Sequence, residues 1–168
     1  MSAVRKMAVI LAGDVVGFSR LVGAREEATL ARYKAARAEL IDPAIAEHRG
    51  RLFKTTGDGF LAEFASAVDA LRCALAIQAG MRRREEDLRE DRRIVLRLGI
   101  NLGDVVVEGN DLLGDGVNVA ARIETLCRPG GVFVSRAARD QALGKLAIDA
   151  PSRGLRASRS KAAVRSSM

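Results

Sequence analysis

Short apolar runs alternate with segments of helical periodicity along most of the chain. Residues 7–15 form an apolar, β-prone run that ends beside an aspartate, which is typical of a buried strand. Residues 26–41 carry apolar side chains at three- and four-residue spacing, which predicts a helix that Pro43 interrupts. A second, short helical piece is predicted over residues 44–48. The first part of the chain therefore favours one strand followed by helices.

The next segment predicts a hairpin and a long helix. Residues 51–56 and 60–64 are two short β-prone runs, and Gly57-Asp58-Gly59 between them is typical of a tight turn. This hairpin would hold the Asp58 carboxylate near its tip. Ser66 is placed to cap a helix that runs to about Arg92 and ends in a run of mixed charges, which is typical of a solvated helix face.

The remaining chain again alternates strands and helices, with glycine-rich segments between them. The predicted elements are strands over residues 94–102 and 105–108, a polar loop over residues 109–116, a helix over residues 116–127, a strand over residues 132–135 and a short helix over residues 135–144. Asp104, between the first two strands, is interpreted as a turn residue, and Asp115 as the cap of the following helix.

The order of these elements predicts an α+β fold. Helices between strand pairs, together with antiparallel hairpins, suggest a ferredoxin-like βαββαβ core whose antiparallel-containing sheet is flanked by helices. We therefore divide the chain into one domain over residues 1–144 and a basic Ser/Arg/Ala-rich tail over residues 145–168. The tail is expected to be disordered because it has almost no apolar periodicity.

Composition narrows the class of protein. A chain of 168 residues with 48% apolar residues fits one globular domain, and no apolar run approaches the roughly 20 residues that span a bilayer. A membrane partner is therefore not expected. Cys73 and Cys127 are too few for a disulfide framework and are interpreted as reduced core thiols, which favours a cytoplasmic protein over an exported one.

The net charge of +7 hints at nucleic acid, but its distribution argues against that partner. Eight basic and two acidic residues lie from residue 136 onward, so this part carries +6 and the rest of the chain only +1. No aromatic side chain follows Phe133 to stack on bases. Any binding of nucleic acid would therefore be electrostatic and nonspecific.

Two pairs of polar residues carry candidate chemistry. Asp14 and Asp58 lie at strand ends close to glycines, and such a carboxylate pair suits a divalent cation that takes its other ligands from water and phosphate. Asn118 and Arg122 are four residues apart, so they share a helix face on which the arginine could stabilise charge on phosphate oxygens. Each residue taken alone is more typical of a turn or of an ordinary helix surface.

Three separated blocks agree in order and spacing with one family. They are DVVGFS over residues 14–19, KTTGDG over residues 54–59 and DLLGDGVNVAAR over residues 111–122. Together they resemble the catalytic domain of class III nucleotidyl cyclases, the adenylate and guanylate cyclases. The resemblance extends over about residues 7–140, and three blocks are far more specific than any one of them.

The resemblance implies an adenylate cyclase, a phosphorus–oxygen lyase that converts ATP to 3′,5′-cyclic AMP and pyrophosphate in signal transduction. In this family two aspartates hold two Mg²⁺ or Mn²⁺ ions, and the matching positions here are Asp14 and Asp58. An asparagine and an arginine stabilise the transition state in the family. The resemblance therefore implies a catalytic role for Asn118 and Arg122.

The family also selects the purine with a lysine and an aspartate, which match Lys54 and Asp111. Adenine offers an acceptor at N1 and a donor at its exocyclic amine, so a lysine donor and a carboxylate acceptor fit ATP, whereas guanine reverses both groups. Family members form head-to-tail dimers in which one subunit supplies the metal aspartates and the other supplies the remaining residues. Because this chain carries both sets, the resemblance implies a homodimer with two composite sites.

The resemblance fades after about Gly144. Family domains continue through a further strand pair, in which a basic residue helps to hold the triphosphate, and neither Lys145 nor Lys161 can be assigned that role. C-terminal strands are therefore expected to be missing. Two alternatives follow: a catalytically weak or inactive nucleotide-binding or dimerisation module of the same fold, and a nucleic-acid-binding domain that uses its basic tail.

Overall fold

A computed structural model describes residues 4–24, 26–149 and 164–167. In this part of the chain, one seven-stranded sheet carries helices on both faces. The elements, in chain order, are β1 (Val4–Val15), α1 (Phe18–Ala24), α2 (Glu26–Ala36), a π-helical segment (Arg37–Ile41), α3 (Asp42–Glu47), β2 (Arg51–Thr55), β3 (Gly59–Phe64), α4 (Ala67–Glu85), a 3₁₀ turn (Glu90–Arg92), β4 (Leu96–Glu108), β5 (Asp111–Leu113), α5 (Asp115–Leu126), β6 (Val132–Ser135), α6 (Arg136–Asp149) and β7 (Val164–Ser167).

The sheet has the strand order β2-β3-β1-β4-β6-β7, and β5 pairs with β4 beside this path. Strand β1 lies in the middle and is antiparallel to both β3 and β4. Strands β4, β6 and β7 are parallel to one another. The arrangement of β1, β2, β3 and β4 around two helical crossovers confirms the predicted ferredoxin-like α+β core.

Both faces of the central strand are buried. Val9 and Leu11 point into a core formed with α2, α3, α4 and α6, whereas Ile10 and Ala12 point into a second core beneath α5. Because side chains alternate along a strand, a strand that is covered on both faces must be apolar at nearly every position. This requirement explains the continuous apolar run that begins the chain.

Helix α5 lies unusually close to β4 because glycines meet at their contact. A Cβ atom on Gly99 would lie 2.5 Å from the backbone nitrogen of Glu124, and a Cβ atom on Gly116 would lie 2.6 Å from the carbonyl oxygen of Asp104. The missing side chains let the two backbones approach. This contact sets the position of α5, and with it the positions of the candidate residues on that helix.

Strand β4 corrects the predicted break at Gly103-Asp104. The strand continues through both residues, and Asp104 pairs with Met7 of β1 rather than forming a turn. The reason is that β1 starts as early as Val4 and so provides ladder partners along nearly the whole of β4. The chain reverses instead at Gly109, whose φ of +62° suits a turn, and the predicted polar loop contains strand β5.

Helix boundaries differ from the predictions at two places. The N-cap of α5 is Gly114, with a φ of +102°, so Asp115 is the first helical residue and not the cap. Helix α4 ends at Glu85, before the predicted end near Arg92. The Glu85 carboxylate accepts a hydrogen bond from the Ile94 amide, so the charged segment between these residues folds back to the end of the helix. The Ser66 cap is confirmed by a hydrogen bond of 3.3 Å from the Asp69 amide to the Ser66 hydroxyl.

Pro43 does not break the helical segment in the way that the sequence suggests. The chain passes from α2 through the π-helical segment into α3, and Pro43 is the second residue of α3, so the helical path continues past it. The short helix α1 was not predicted. It begins directly after Gly17, whose φ of +60° provides the turn out of β1.

The C-terminal part contains more regular structure than expected. Helix α6 continues five residues beyond its predicted end, and β7 adds a parallel strand beside β6. Residues 150–163 and 168 of the predicted disordered tail lie outside the described residues, so the division at residue 144 stays a prediction. Within the described ranges, no helix is long and apolar enough to cross a bilayer, and Cys73 and Cys127 are buried free thiols, as predicted.

Candidate active site

Asp14 and Asp58 lie on neighbouring segments of the sheet. Asp14 is near the end of β1, and its partner in the antiparallel register is Gly59, the residue after Asp58. The turn that carries Asp58 is closed from within, because the Thr56 hydroxyl accepts a hydrogen bond of 3.1 Å from the Gly59 amide. The predicted hairpin therefore places Asp58 beside the strand that carries Asp14.

Arg97 and Glu124 complete a charged cluster around Asp14. The Arg97 guanidinium donates hydrogen bonds of 3.3 and 3.2 Å to the two carboxylate oxygens of Asp14, its register partner across β1 and β4. Glu124 is only 5% exposed, and its Oε1 lies 3.7 Å from Arg97 and has no hydrogen-bond partner. One arginine thus faces several acidic groups.

The electrostatics of this cluster show an excess of negative charge. Burial raises the pKa of Glu124, and a hydrogen bond with Asp14 and the charges of Asp14 and Asp58 raise it further, while Arg97 opposes the shift. The hydrogen bond with Asp14 in turn raises the pKa of Arg97. Both aspartates therefore act on the same buried carboxyl group, and the cluster favours an additional cation.

The donor set fits a hard divalent cation with an incomplete protein shell. Among the described residues, no cluster of three or more His, Cys, Asp or Glu side chains is arranged to hold a metal ion. Mg²⁺ is usually held by one or two carboxylates, and it takes its other ligands from water and substrate phosphates. Asp14 and Asp58 match that pattern, whereas a structural metal site would need more ligands.

Lys54 and Asp111 are brought together from distant parts of the chain. The Lys54 ammonium lies 3.0 Å from Oδ2 of Asp111, and both side chains are a little over one-third exposed. The hydrogen bond from Lys54 lowers the pKa of Asp111, and the Leu112 amide, which donates to Oδ1 at 2.8 Å, lowers it as well. The pair presents one cationic donor and one anionic acceptor side by side.

Asn118 and Arg122 lie on the outer face of α5. The inner face of this helix packs on the sheet through Val117, Ala120 and Ile123. Both candidate side chains are exposed, and neither makes a hydrogen bond or ion pair with any side chain in the part of the chain that the structure describes. Within one chain, therefore, neither side chain contacts Asp14 or Asp58.

Sequence reasoning missed Arg97 and Glu124. Glu124 occupies a position of the apolar stripe of α5, next to Ile123, where a carboxylate needs a partner. Arg97 lies between the buried Leu96 and Leu98 of β4 and is half-buried on the opposite face of the strand, where a polar residue is ordinary. The charged residue at a core position of α5 was the available signal.

Comparison with known proteins identifies relatives of this chain. The family model described as the adenylate and guanylate cyclase catalytic domain matches residues 2–157. The chain is 52% identical over 145 residues to a protein of Rhizobium meliloti (strain 1021) named Putative adenylate cyclase 3, and the match covers 86% of this chain and 25% of that protein. It is 34% identical over 133 residues to an adenylate cyclase of Streptomyces coelicolor, covering 79% of this chain and 33% of the relative.

A solved structure with similar fold and sequence is an adenylate/guanylate cyclase/hydrolase from Silicibacter pomeroyi. Its TM-score is 0.80 at 49% identity, and the match covers 86% of this chain and 84% of that chain. The chain spans only about a quarter to a third of the length of the two relatives above. The similarity therefore concerns one domain of those longer proteins.

Proposed function

Because the chain belongs to the adenylate and guanylate cyclase catalytic-domain family, we propose that it converts ATP to 3′,5′-cyclic AMP and pyrophosphate. The observation that carries the choice of ATP is the Lys54–Asp111 pair, with its donor and acceptor 3.0 Å apart. The Lys54 ammonium can donate to N1 of adenine, and Asp111 can accept from the exocyclic amine. Guanine would present a donor to the lysine and an acceptor to the carboxylate, so both contacts would be unfavourable.

Asp14 and Asp58 are proposed to hold two Mg²⁺ or Mn²⁺ ions at each site. When bound, such ions lower the pKa of the ribose 3′-hydroxyl and neutralise charge on the triphosphate. Arg97 and Glu124 support this role because both residues interact with the Asp14 carboxylate within the same chain and fix its orientation. The carboxylate is therefore oriented before any substrate binds.

Arg122 is proposed to stabilise negative charge that builds on the phosphate oxygens in the transition state, together with Asn118. A guanidinium is always charged and offers several donors in a fixed plane, so it suits this task better than a lysine. Both residues are exposed and have no side-chain partner among the described residues, which leaves them available for a ligand or a second chain.

We propose a homodimer with two composite sites on the basis of this separation. Asp14 lies in β1 and Asp58 in the turn before β3, while Asn118 and Arg122 are exposed on α5 and contact neither aspartate within one chain. In a dimer with twofold symmetry, each copy would present its outer α5 face to the aspartates of the other. Both sites would then be equivalent.

The proposal is tested by incubating the purified chain with Mn²⁺ or Mg²⁺ and either ATP or GTP. We expect cyclic AMP and pyrophosphate in equal amounts, at a rate at least about tenfold higher than that of cyclic GMP formation, because one mispaired charged hydrogen bond costs about that factor. Asp14→Asn should abolish product, and Arg82→Ala, on the exposed end of α4, should not. A preference for GTP, or ATP binding without any product, would contradict the proposal, and the second result would favour an inactive nucleotide-binding module.

A further inference from the structure

Tyr33, in α2, contacts both segments that carry the two aspartates. Its side chain is 3% exposed, and its hydroxyl donates a hydrogen bond of 3.0 Å to the backbone carbonyl of Asp58. Its ring packs edge-on against Phe18, with 6.0 Å between the ring centroids. Phe18 is the first residue of α1 and follows Asp14 by four positions. One side chain thus bridges the start of α1 and the Asp58 turn, which are far apart in sequence.

We propose that Tyr33 is a positioning residue that holds the Asp58 turn in place relative to the segment that carries Asp14. The inference rests on the proposed function, in which these two aspartates share the bound cations. Two carboxylates on different segments of the chain can share ions only if the segments keep a constant separation. The Tyr33 hydroxyl holds the Asp58 turn by a hydrogen bond, while its ring packs against Phe18 at the start of α1.

The Asp58 turn needs such external support. Its internal hydrogen bonds, from the Thr56 amide to the Gly59 carbonyl and from the Gly59 amide to the Thr56 hydroxyl, close the turn but do not set its tilt toward the helices. Gly57 is exposed and has no side chain that could pack. The bond to Tyr33 joins the carbonyl of Asp58 itself to the helical layer.

Arg37 makes a second interaction with the Tyr33 hydroxyl, whose bond to Asp58 can run only from the phenol to the carbonyl oxygen. Its guanidinium interacts with the Tyr33 phenol and is itself held by Asp42, with 2.9 Å between Nε and Oδ1. A guanidinium can only donate, so the phenol oxygen accepts from Arg37 and its proton goes to the Asp58 carbonyl. Burial raises the pKa of Tyr33, which keeps that proton in place at neutral pH.

The local helix geometry is consistent with a functional role. Arg37 is the first residue of the π-helical segment Arg37–Ile41, which follows α2 directly. Isolated π-helical turns are uncommon and are often found at functional sites. Here the wide turn lies between Arg37 and its partner Asp42, and so it belongs to the support of the Tyr33 hydroxyl.

The test compares the wild-type chain with Tyr33→Phe, which keeps the ring and its packing and removes only the hydroxyl. Binding of Mn²⁺ alone is measured from the free ion by electron paramagnetic resonance, and hydrogen exchange is followed at the amides of residues 57–59. We expect the dissociation constant for Mn²⁺ to rise by roughly two- to tenfold, the worth of one neutral hydrogen bond. Exchange at the turn should accelerate while the remaining amides of the sheet stay protected.

The matched control is Ser66→Ala. It also removes one hydroxyl hydrogen bond, that of the α4 cap, but it acts beyond the far end of β3, away from the Asp58 turn. Its loss of stability should be similar, while its Mn²⁺ affinity and the exchange at residues 57–59 should equal those of the wild type. A general loss of stability and a loss of positioning are thereby separated.

Two outcomes would overturn the inference. Tyr33→Phe could bind Mn²⁺ and exchange at residues 57–59 as the wild type does, or Ser66→Ala could show the same changes as Tyr33→Phe. If the wild-type chain binds Mn²⁺ no better than Asp14→Asn does, the proposed function fails instead. In that case the exchange rates of the turn still decide whether Tyr33 holds it.

Discussion

The cluster around Asp14 and the outer face of α5 are built in opposite ways. Asp14 is held by two hydrogen bonds from Arg97 and by contact with the buried Glu124, all within one chain. Arg122, on the same helix as Glu124, is exposed and without a side-chain partner in the described part of the chain. Helix α5 therefore supports Asp14 of the same chain with Glu124 on its inner face and carries the second set of proposed site residues on its outer face.

This difference separates two kinds of preorganisation. The aspartates are oriented by folding alone, so changes there should affect both stability and metal binding. Replacing the outer residues of α5 should leave the stability of the isolated chain unchanged. Such substitutions should therefore affect activity only when a complete site is assembled. The expected effects below follow from this contrast.

Among changes outside the Asp14 cluster, the largest effect is expected for Arg122→Ala. Turnover should fall on the order of 10²-fold or more, because a cation that meets developing phosphate charge acts mainly in the transition state. The melting temperature and the KM for ATP should stay close to the wild type, because the side chain is exposed and has no side-chain partner among the residues that the structure describes. Steady-state kinetics and thermal unfolding measure these quantities, and turnover near the wild-type value in a folded variant would refute the assigned role.

Mixing Asp14→Ala with Arg122→Ala should restore part of the lost activity. Random pairing makes about half of the dimers mixed, and each mixed dimer has one intact site of two, so recovery should reach roughly a quarter of the wild-type value. The two variants alone, at the same total concentration, serve as controls. If confirmed mixed dimers stay inactive, the sites are not shared between chains.

An exchange of the two charges in the Lys54–Asp111 pair should change the preferred base. The double variant Lys54→Glu/Asp111→Lys keeps an ion pair at this position, so the contact between β2 and β5 should survive. Its acceptor and donor then match guanine, and the ratio of kcat/KM for ATP over GTP should fall by roughly 10- to 100-fold. If the ratio is unchanged in the folded variant, Lys54 and Asp111 do not select the base.

The smallest effect is expected for Glu124→Gln, and it depends on pH. The pKa of Glu124 is raised in the folded chain, so the native state keeps a proton that the unfolded state loses above the ordinary value near 4.5. The free energy of unfolding of the wild type should therefore decrease as the pH rises through this range, while the variant has no such group.

Thermal unfolding in the presence of a chelator measures this difference. The glutamine amide can still donate a hydrogen bond to Asp14. The melting temperature of the variant, relative to that of the wild type, should therefore rise by a few degrees between about pH 5 and about pH 9, at about 2–4 °C per kcal/mol. If the difference in melting temperature between the two proteins is the same at both pH values, Glu124 is ionised in the folded chain.

Local signals were sufficient for much of the fold. The Gly57-Asp58-Gly59 turn joins two β-prone runs, and the Ser66 cap starts a helix, because both depend on residues that are neighbours in sequence. The break predicted at Gly103-Asp104 was wrong, because the glycine there serves the approach of α5 rather than a turn. A glycine looks the same in sequence for both purposes.

The sequence by itself determined the main strands and helices of the core and, through three spaced blocks, the family and the six candidate residues. Only the tertiary structure decided which of these residues meet: Lys54 joins Asp111, Asp14 joins Arg97 and Glu124, and Tyr33 reaches the Asp58 turn. The physical reason is that such contacts arise between strands and helices distant in sequence, where register and close backbone packing, not local preference, set which side chains touch.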